Sequence, residues 1–187
     1  MPAPLAWING FPGTGKLTVA KALQRMNQTV VLIDNYQLID PVEAEFSRSH
    51  PDYQRQRQIQ RQAAFAQHVC SPSSLSRPVI FTDFQFTSEP GPSVAKEYQA
   101  AAKEAERPFL PIYLTCDEQE NIERVSSQER LSSGTTKLTS RELLRSFRST
   151  TTLHQFDGIG LSIDVTSITP DEAASRITEH MLAHGTH

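Results

Sequence analysis

Cysteine is scarce: Cys70 and Cys116 are the only two in 187 residues. They form no CxxC pair, so a disulfide scaffold and a structural zinc site are both excluded, and a reducing, cytoplasmic setting is expected. Charge of one sign is lacking too. Eighteen basic residues stand against 21 acidic ones, a net charge of −3, without the basic excess of a general nucleic-acid or membrane-surface binder. No hydrophobic run approaches the roughly 20 residues that cross a bilayer, and residues 1–4 lack the charged and apolar regions of a secretory signal. Aromatics make up only 7% of the chain, but hydrophobic residues reach 37%, enough for one buried core.

Apolar runs and helical stretches alternate along the chain. Strands are predicted at 5–9, 29–33, 78–83, 109–115 and 161–165; the second, β-branched run reads as buried on both faces. Helices are predicted from residue 15 to about 26, from Pro41, over 52–69, from the 89–92 loop to about 107, over 117–125, over 141–147 and over 170–182. Asp117 with Glu120 suggests a capping box. The 52–69 helix, rich in Gln and Arg, reads as exposed, with Ile59, Ala63, Phe65, Ala66 and Val69 as its apolar stripe. Strands separated by helices imply an α/β fold, a parallel sheet covered on both faces. No repeat and no long linker divides it, so residues 1–187 are expected to form one domain, with a candidate lid at about 124–148 and a candidate substrate-covering segment at about 41–70.

The strongest chemical signal is Gly10-Phe11-Pro12-Gly13-Thr14-Gly15-Lys16, a G-x-x-x-x-G-K loop between a predicted strand and an amphipathic helix. Glycines let backbone N–H groups close round an anion, and the helix start adds free amides and the positive end of its dipole. Lys16 is placed to reach the β- and γ-phosphates. The next residue is normally Ser or Thr, whose hydroxyl ligates Mg²⁺; here it is Leu17. Thr18 lies about 100° further round the helix and fits the α-phosphate instead. The metal is then left to water and carboxylates.

Asp34 and Asp83 close the second and third predicted strands, where ligands of parallel sheets bind. One is a candidate base for an acceptor hydroxyl, and both are candidates to hold hydrated Mg²⁺ through water. Arg124 and Arg130, leading into the Gly134 loop, are candidates to neutralise charge in phosphoryl transfer. Arg141, Arg145 and Arg148 are weaker candidates. Arg55, Arg57 and Arg61 read as exposed helix surface. His180, His184 and His187 lack the context of a metal site, and Cys116 reads as a buried bystander.

The loop with residues 9–18, the segment Leu32-Ile33-Asp34-Asn35, and Leu114-Thr115-Cys116-Asp117 through Glu123-Arg124 together resemble the P-loop kinases of small molecules. The pattern is similar to chloramphenicol-phosphotransferase-like and zeta-toxin-like proteins with an AAA-type ATP-binding domain, over about residues 5–182. The resemblance implies a P-loop NTPase three-layer sandwich with strand order 2-3-1-4-5, ATP with Mg²⁺ as donor, and Asp34 as the base. It also implies an arginine lid with Arg124 and Arg130, and adenine near residues 166–170. It names no acceptor. The function expected is an ATP-dependent kinase acting on a hydroxyl of a small polar molecule; the alternative is a nucleotide-binding regulatory module or slow ATPase. Neither a membrane nor nucleic acid is expected as partner.

Overall fold

The structure is a computed structural model that describes residues 1–127 and 138–185. Five strands, β1 (Leu5–Asn9), β2 (Val31–Ile33), β3 (Val79–Asp83), β4 (Phe109–Thr115) and β5 (Leu161–Asp164), form one sheet in the order β2-β3-β1-β4-β5. Every pairing is parallel. The helices between them are α1 (Lys16–Met26), α2 (Asn35–Glu43), α3 (Tyr53–His68), α4 (Gly91–Glu104), α5 (Glu118–Val125), α6 (Arg141–Thr150) and α7 (Pro170–His184). Among the described residues no helix is long and apolar enough to cross a membrane.

Alternation along β1 builds two cores, because successive side chains point to opposite faces. Ala6 and Ile8, with Ile80, Ile112 and Leu114, meet α1 and α7 through Val19, Leu23 and Ile177. Leu5 and Trp7, with Val79 and Phe81, meet α3 and α4 through Phe65, Val94 and Tyr98. Both faces of β1 and β3 are thereby buried at every position.

β2 differs from expectation. It spans three residues at the sheet edge and is only partly buried; a β-branched run is equally suited to an edge and a centre. α2 starts six residues before Pro41, with Asp34 as its N-cap and Pro41 inside its last turn. Gln37 closes that start by accepting from the Asp34 N–H at 2.9 Å. Asp117 caps α5 by position but makes no side-chain cap hydrogen bond; its N–H donates to the Thr166 hydroxyl at 2.9 Å, and Glu120 pairs with Arg124.

α3 corrects another expectation. Its buried stripe is Tyr53, Arg57, Arg61, Ala64 and Phe65, while Ile59 is 48% exposed. Arg61 is 3% exposed and forms a bidentate pair with Glu97 of α4, at 2.8 and 2.9 Å. Two parallel charge-assisted bonds are what make a buried guanidinium tolerable. Arg107 similarly ties three segments together, donating to the carbonyls of Ala3, Val69, Ser74 and Arg77 at 2.7–2.9 Å.

Candidate phosphate-binding and acceptor site

The glycine loop leaves β1 at Asn9 and enters α1 at Lys16, so it sits at the carboxyl edge of the central strand. Gly13 and Gly15 have φ of +86° and +92°, a region that costs an L side chain about 1 kcal/mol or more. A Cβ on Gly13 would meet the Asn121 side chain at 2.8 Å, whereas one on Gly15 would meet nothing within 4 Å. Gly15 therefore borders open space beside the amides. α1 begins there with no side-chain cap and no acid in its first turn, so its N–H groups have no carboxylate competing for them.

The loop is braced from inside. Thr14, fully buried, donates from its hydroxyl to the Phe11 carbonyl at 2.9 Å. Asn121, also fully buried, donates from Nδ2 to the Pro12 carbonyl at 2.8 Å. Lys16 Nζ donates to the carbonyls of Gly10 and Phe11 at 2.6 and 2.8 Å. Leu17 is half-buried and Thr18 exposed at the helix start.

Asp34 and Asp83 reach the same edge, but in different states. The Thr82 hydroxyl donates to Asp34 Oδ1, and the half-buried Asp34 carboxylate keeps further acceptor capacity. Asp83 is 1% exposed. Its Oδ1 accepts from Asn35 Nδ2, the Phe84 N–H and Gln85 Nε2 at 2.8–3.0 Å, and its Oδ2 from Trp7 Nε1 at 3.4 Å. Three donors converge on Oδ1 and one on Oδ2, so this buried carboxylate ties β1, the β3 exit and the start of α2 together. Asn35 also accepts from Arg57 Nη2 at 3.1 Å, so Asn35 links Arg57 to Asp83. Burial and the Asp83 charge push the Tyr98 hydroxyl well above the usual phenol range; it stays a neutral neighbour.

The arginines are distributed differently from expectation. Arg124 donates to Glu120 at 2.6 Å and to the carbonyls of Val165 and Thr166 at 3.0 and 3.3 Å, which places it at the β5 exit and not at the glycine loop. Arg130 and Gly134 lie outside the described residues. Arg148, a weaker candidate by sequence, is the arginine beside the loop. Its guanidinium lies 5.3 Å from the Phe11 ring centroid and donates to Asn121 Oδ1 and the Cys116 carbonyl at 3.0 and 3.2 Å. Arg148 sits one helical turn after Arg145, which is exposed; its tertiary contacts to Phe11, Asn121 and Cys116 set the two apart. Burial holds the Cys116 thiol above its usual range, so it remains protonated at neutral pH.

A short antiparallel strap closes the side of the site. The N–H of Thr87 donates to the Thr152 carbonyl and that of His154 to the Gln85 carbonyl, both at 2.9 Å. Asn9, fully buried, clips it to β1 through Gln85 and the His154 carbonyl at 2.8–2.9 Å. The His154 ring rests near Trp7 and Phe156, with Nε2 buried and unpartnered. Burial lowers its pKa, as it does those of His68 and His180. The unfolded chain then binds more protons than the folded one as pH falls through about 6.5. Urea midpoints measured from pH 7 down to pH 5 are expected to fall steadily, and less steeply in His154→Phe; a flat profile contradicts the placement of these imidazoles.

A family model described as an AAA domain matches residues 7–143. The chain belongs to that family. No curated protein matches it. Among solved structures, a putative kinase from Chloroflexus aurantiacus is 19% identical, with 98% of this chain and 99% of that one covered and a TM-score of 0.64. A sugar kinase from a Janibacter species is 15% identical over the whole of both chains, with a TM-score of 0.60. The APS kinase of Mycobacterium tuberculosis, solved with AMPPNP and APS, is 14% identical over 97% and 98% of the two chains, with a TM-score of 0.62. The chain has the fold of P-loop kinases, with the sheet order that the resemblance implied.

Proposed function

We propose that this AAA-domain chain is an ATP-dependent kinase that phosphorylates a hydroxyl of a small molecule. The observation that carries this reading is the glycine loop, with Gly15 open at positive φ and Lys16 folded against its carbonyls, beside the half-buried carboxylate of Asp34. Neighbouring strands lie about 4.8 Å apart, so β2 and β1, two steps apart in the sheet, end about 10 Å from one another. That gap suits a terminal phosphoryl group and the hydroxyl that attacks it.

In this reading the amides of residues 13–18 and Lys16 hold the triphosphate. Asp34 takes the acceptor's proton as its oxygen bonds to the γ-phosphorus; the bond from γ-phosphorus to the bridging oxygen breaks, and ADP leaves with that electron pair. Arg148 exchanges the Cys116 carbonyl for an equatorial phosphate oxygen, since charge builds there in the transition state. Asn121 positions both the Pro12 carbonyl and Arg148. Arg124 frames the β5 exit, where the base of the nucleotide is expected.

The residues present fit a nucleotide better than they fit a metal. Mg²⁺ carried with ATP neutralises triphosphate charge, but Leu17 supplies no hydroxyl, Asp83 is buried among donors, and among the described residues no three His, Cys, Asp or Glu side chains converge. Asp34, through water, is the group that would hold it. Leu17 favours a second reading, a nucleotide-binding regulatory module or slow ATPase. ADP release measured with and without a panel of hydroxylated metabolites separates the two: the kinase is stimulated by an acceptor, the module is not. Leu17→Ser is expected to raise the Mg²⁺ affinity of the ATP complex several-fold in a metal titration; no gain means that the missing hydroxyl is already replaced.

A further inference from the structure

Thr82 is a polar residue in an apolar place. It is 1% exposed and stands opposite Ile8 in the β1–β3 register. Alternation along β3 puts it on the face of Ile80, which is otherwise built from Ala6, Ile8 and Ile112 against α1. A buried hydroxyl costs stability unless it is hydrogen-bonded, and valine has the same branched shape without that cost. The register shows where this hydroxyl is used. Ile33 pairs with Phe81, so the residues that follow them, Asp34 and Thr82, lie side by side on one face, about 4.8 Å apart across the strands. Asp83, one residue on, turns to the opposite face, toward Trp7.

The Thr82 hydroxyl is committed on both sides. Oγ1 accepts from the N–H of Asn35, the first residue of α2, at 3.1 Å and donates to Asp34 Oδ1. A hydroxyl carries one proton; with the amide on its lone pair, that proton points at the carboxylate. We propose that Thr82 is a positioning residue for phosphoryl transfer: it holds the Asp34 carboxylate by Oδ1 and leaves Oδ2 to take the acceptor's proton. The inference deepens the kinase reading and rests on it for the fate of that proton. Without the bond the half-buried carboxylate turns about its side-chain torsions, and the base loses its alignment with the acceptor. A reacting group displaced by about 1 Å costs on the order of 100-fold in rate. The branched side chain is stiff at χ1, so the hydroxyl keeps its direction.

The test compares Thr82→Val with Thr82→Ser in the full chain. Each is read by kcat and KM for ADP release from ATP, first with water as acceptor and then with a panel of hydroxylated metabolites. Thr82→Val is expected to lower kcat about 10- to 100-fold with KM for ATP nearly unchanged, and Thr82→Ser to recover most of the loss. In the Asp34→Asn background Thr82→Val is expected to add little, because the group it positions no longer takes a proton. A wild-type kcat in Thr82→Val, a Thr82→Ser as impaired as Thr82→Val, or an undiminished effect in Asp34→Asn overturns the inference and leaves the kinase reading standing. Proton NMR reads the contact without turnover: a slowly exchanging hydroxyl signal is expected that is lost in Thr82→Val and displaced in Asp34→Ala. A signal unmoved in Asp34→Ala overturns the inference as well. A wild type that releases no ADP in either setting, with that signal as expected, sinks the kinase reading and leaves Thr82 as a cap for α2.

Discussion

Lys16→Ala is expected to lower acceptor-dependent ADP release about 100- to 1,000-fold, the usual cost of removing one preorganised charge from the site of phosphoryl transfer. In the wild type Nζ is held on the Gly10 and Phe11 carbonyls, a conformation from which it exchanges two neutral acceptors for anionic phosphate oxygens. Charge-assisted hydrogen bonds are roughly twice as strong as neutral ones, so that exchange favours the bound nucleotide. The variant keeps its fold, because the lysine is half-exposed at the start of α1 and neither core cluster on the sheet includes it. Thermal unfolding distinguishes loss of binding from loss of structure. Saturating ATP raises the Tm of the wild type by linkage, and in Lys16→Ala that increment disappears while the ligand-free Tm stays near the wild-type value. An unchanged increment contradicts the assignment.

The second large effect is at Asp34. Asp34→Asn preserves the shape of the side chain and its contact with the Thr82 hydroxyl, but removes the negative charge that accepts a proton. Turnover is expected to drop about 100- to 10,000-fold, the span typical of a lost general base, with affinity for the metal-free nucleotide nearly unchanged. The split between kcat and binding is diagnostic. Asp83→Asn behaves otherwise: it sets an amide among four donors, and the damage appears as lost stability as well as lost rate. If Asp34→Asn turns over at the wild-type rate, the base lies elsewhere on this sheet edge.

How much of this was legible beforehand depended on the range of the interaction. β1 and β4 were readable to the residue, because each is an apolar run closed by one polar residue, Asn9 and Thr115. The glycine loop was readable because its chemistry is local. β2 was misjudged as fully buried, since burial of an edge strand is decided by a neighbour absent on one side. Arg57 and Arg61 looked like solvated surface in a Gln-rich helix; their partners Asn35 and Glu97 are 22 and 36 residues away, and no periodicity announces them. That Arg148 lies beside Phe11 while Arg124 lies at the β5 exit was hidden for the same reason. Asp83 closes β3 as expected; the donors that meet its carboxylate include Trp7 of β1 and Asn35 of α2, contacts that no local pattern announces.

ATP labelled isotopically in its terminal phosphoryl group, incubated with the protein and a mixture of hydroxylated metabolites, gives the most direct answer by mass spectrometry. The account predicts that the label leaves ATP on an acceptor oxygen, as a phosphate ester, and that Asp34→Asn suppresses the transfer. Label found only in inorganic phosphate, at a rate indifferent to every acceptor and to Asp34, contradicts it.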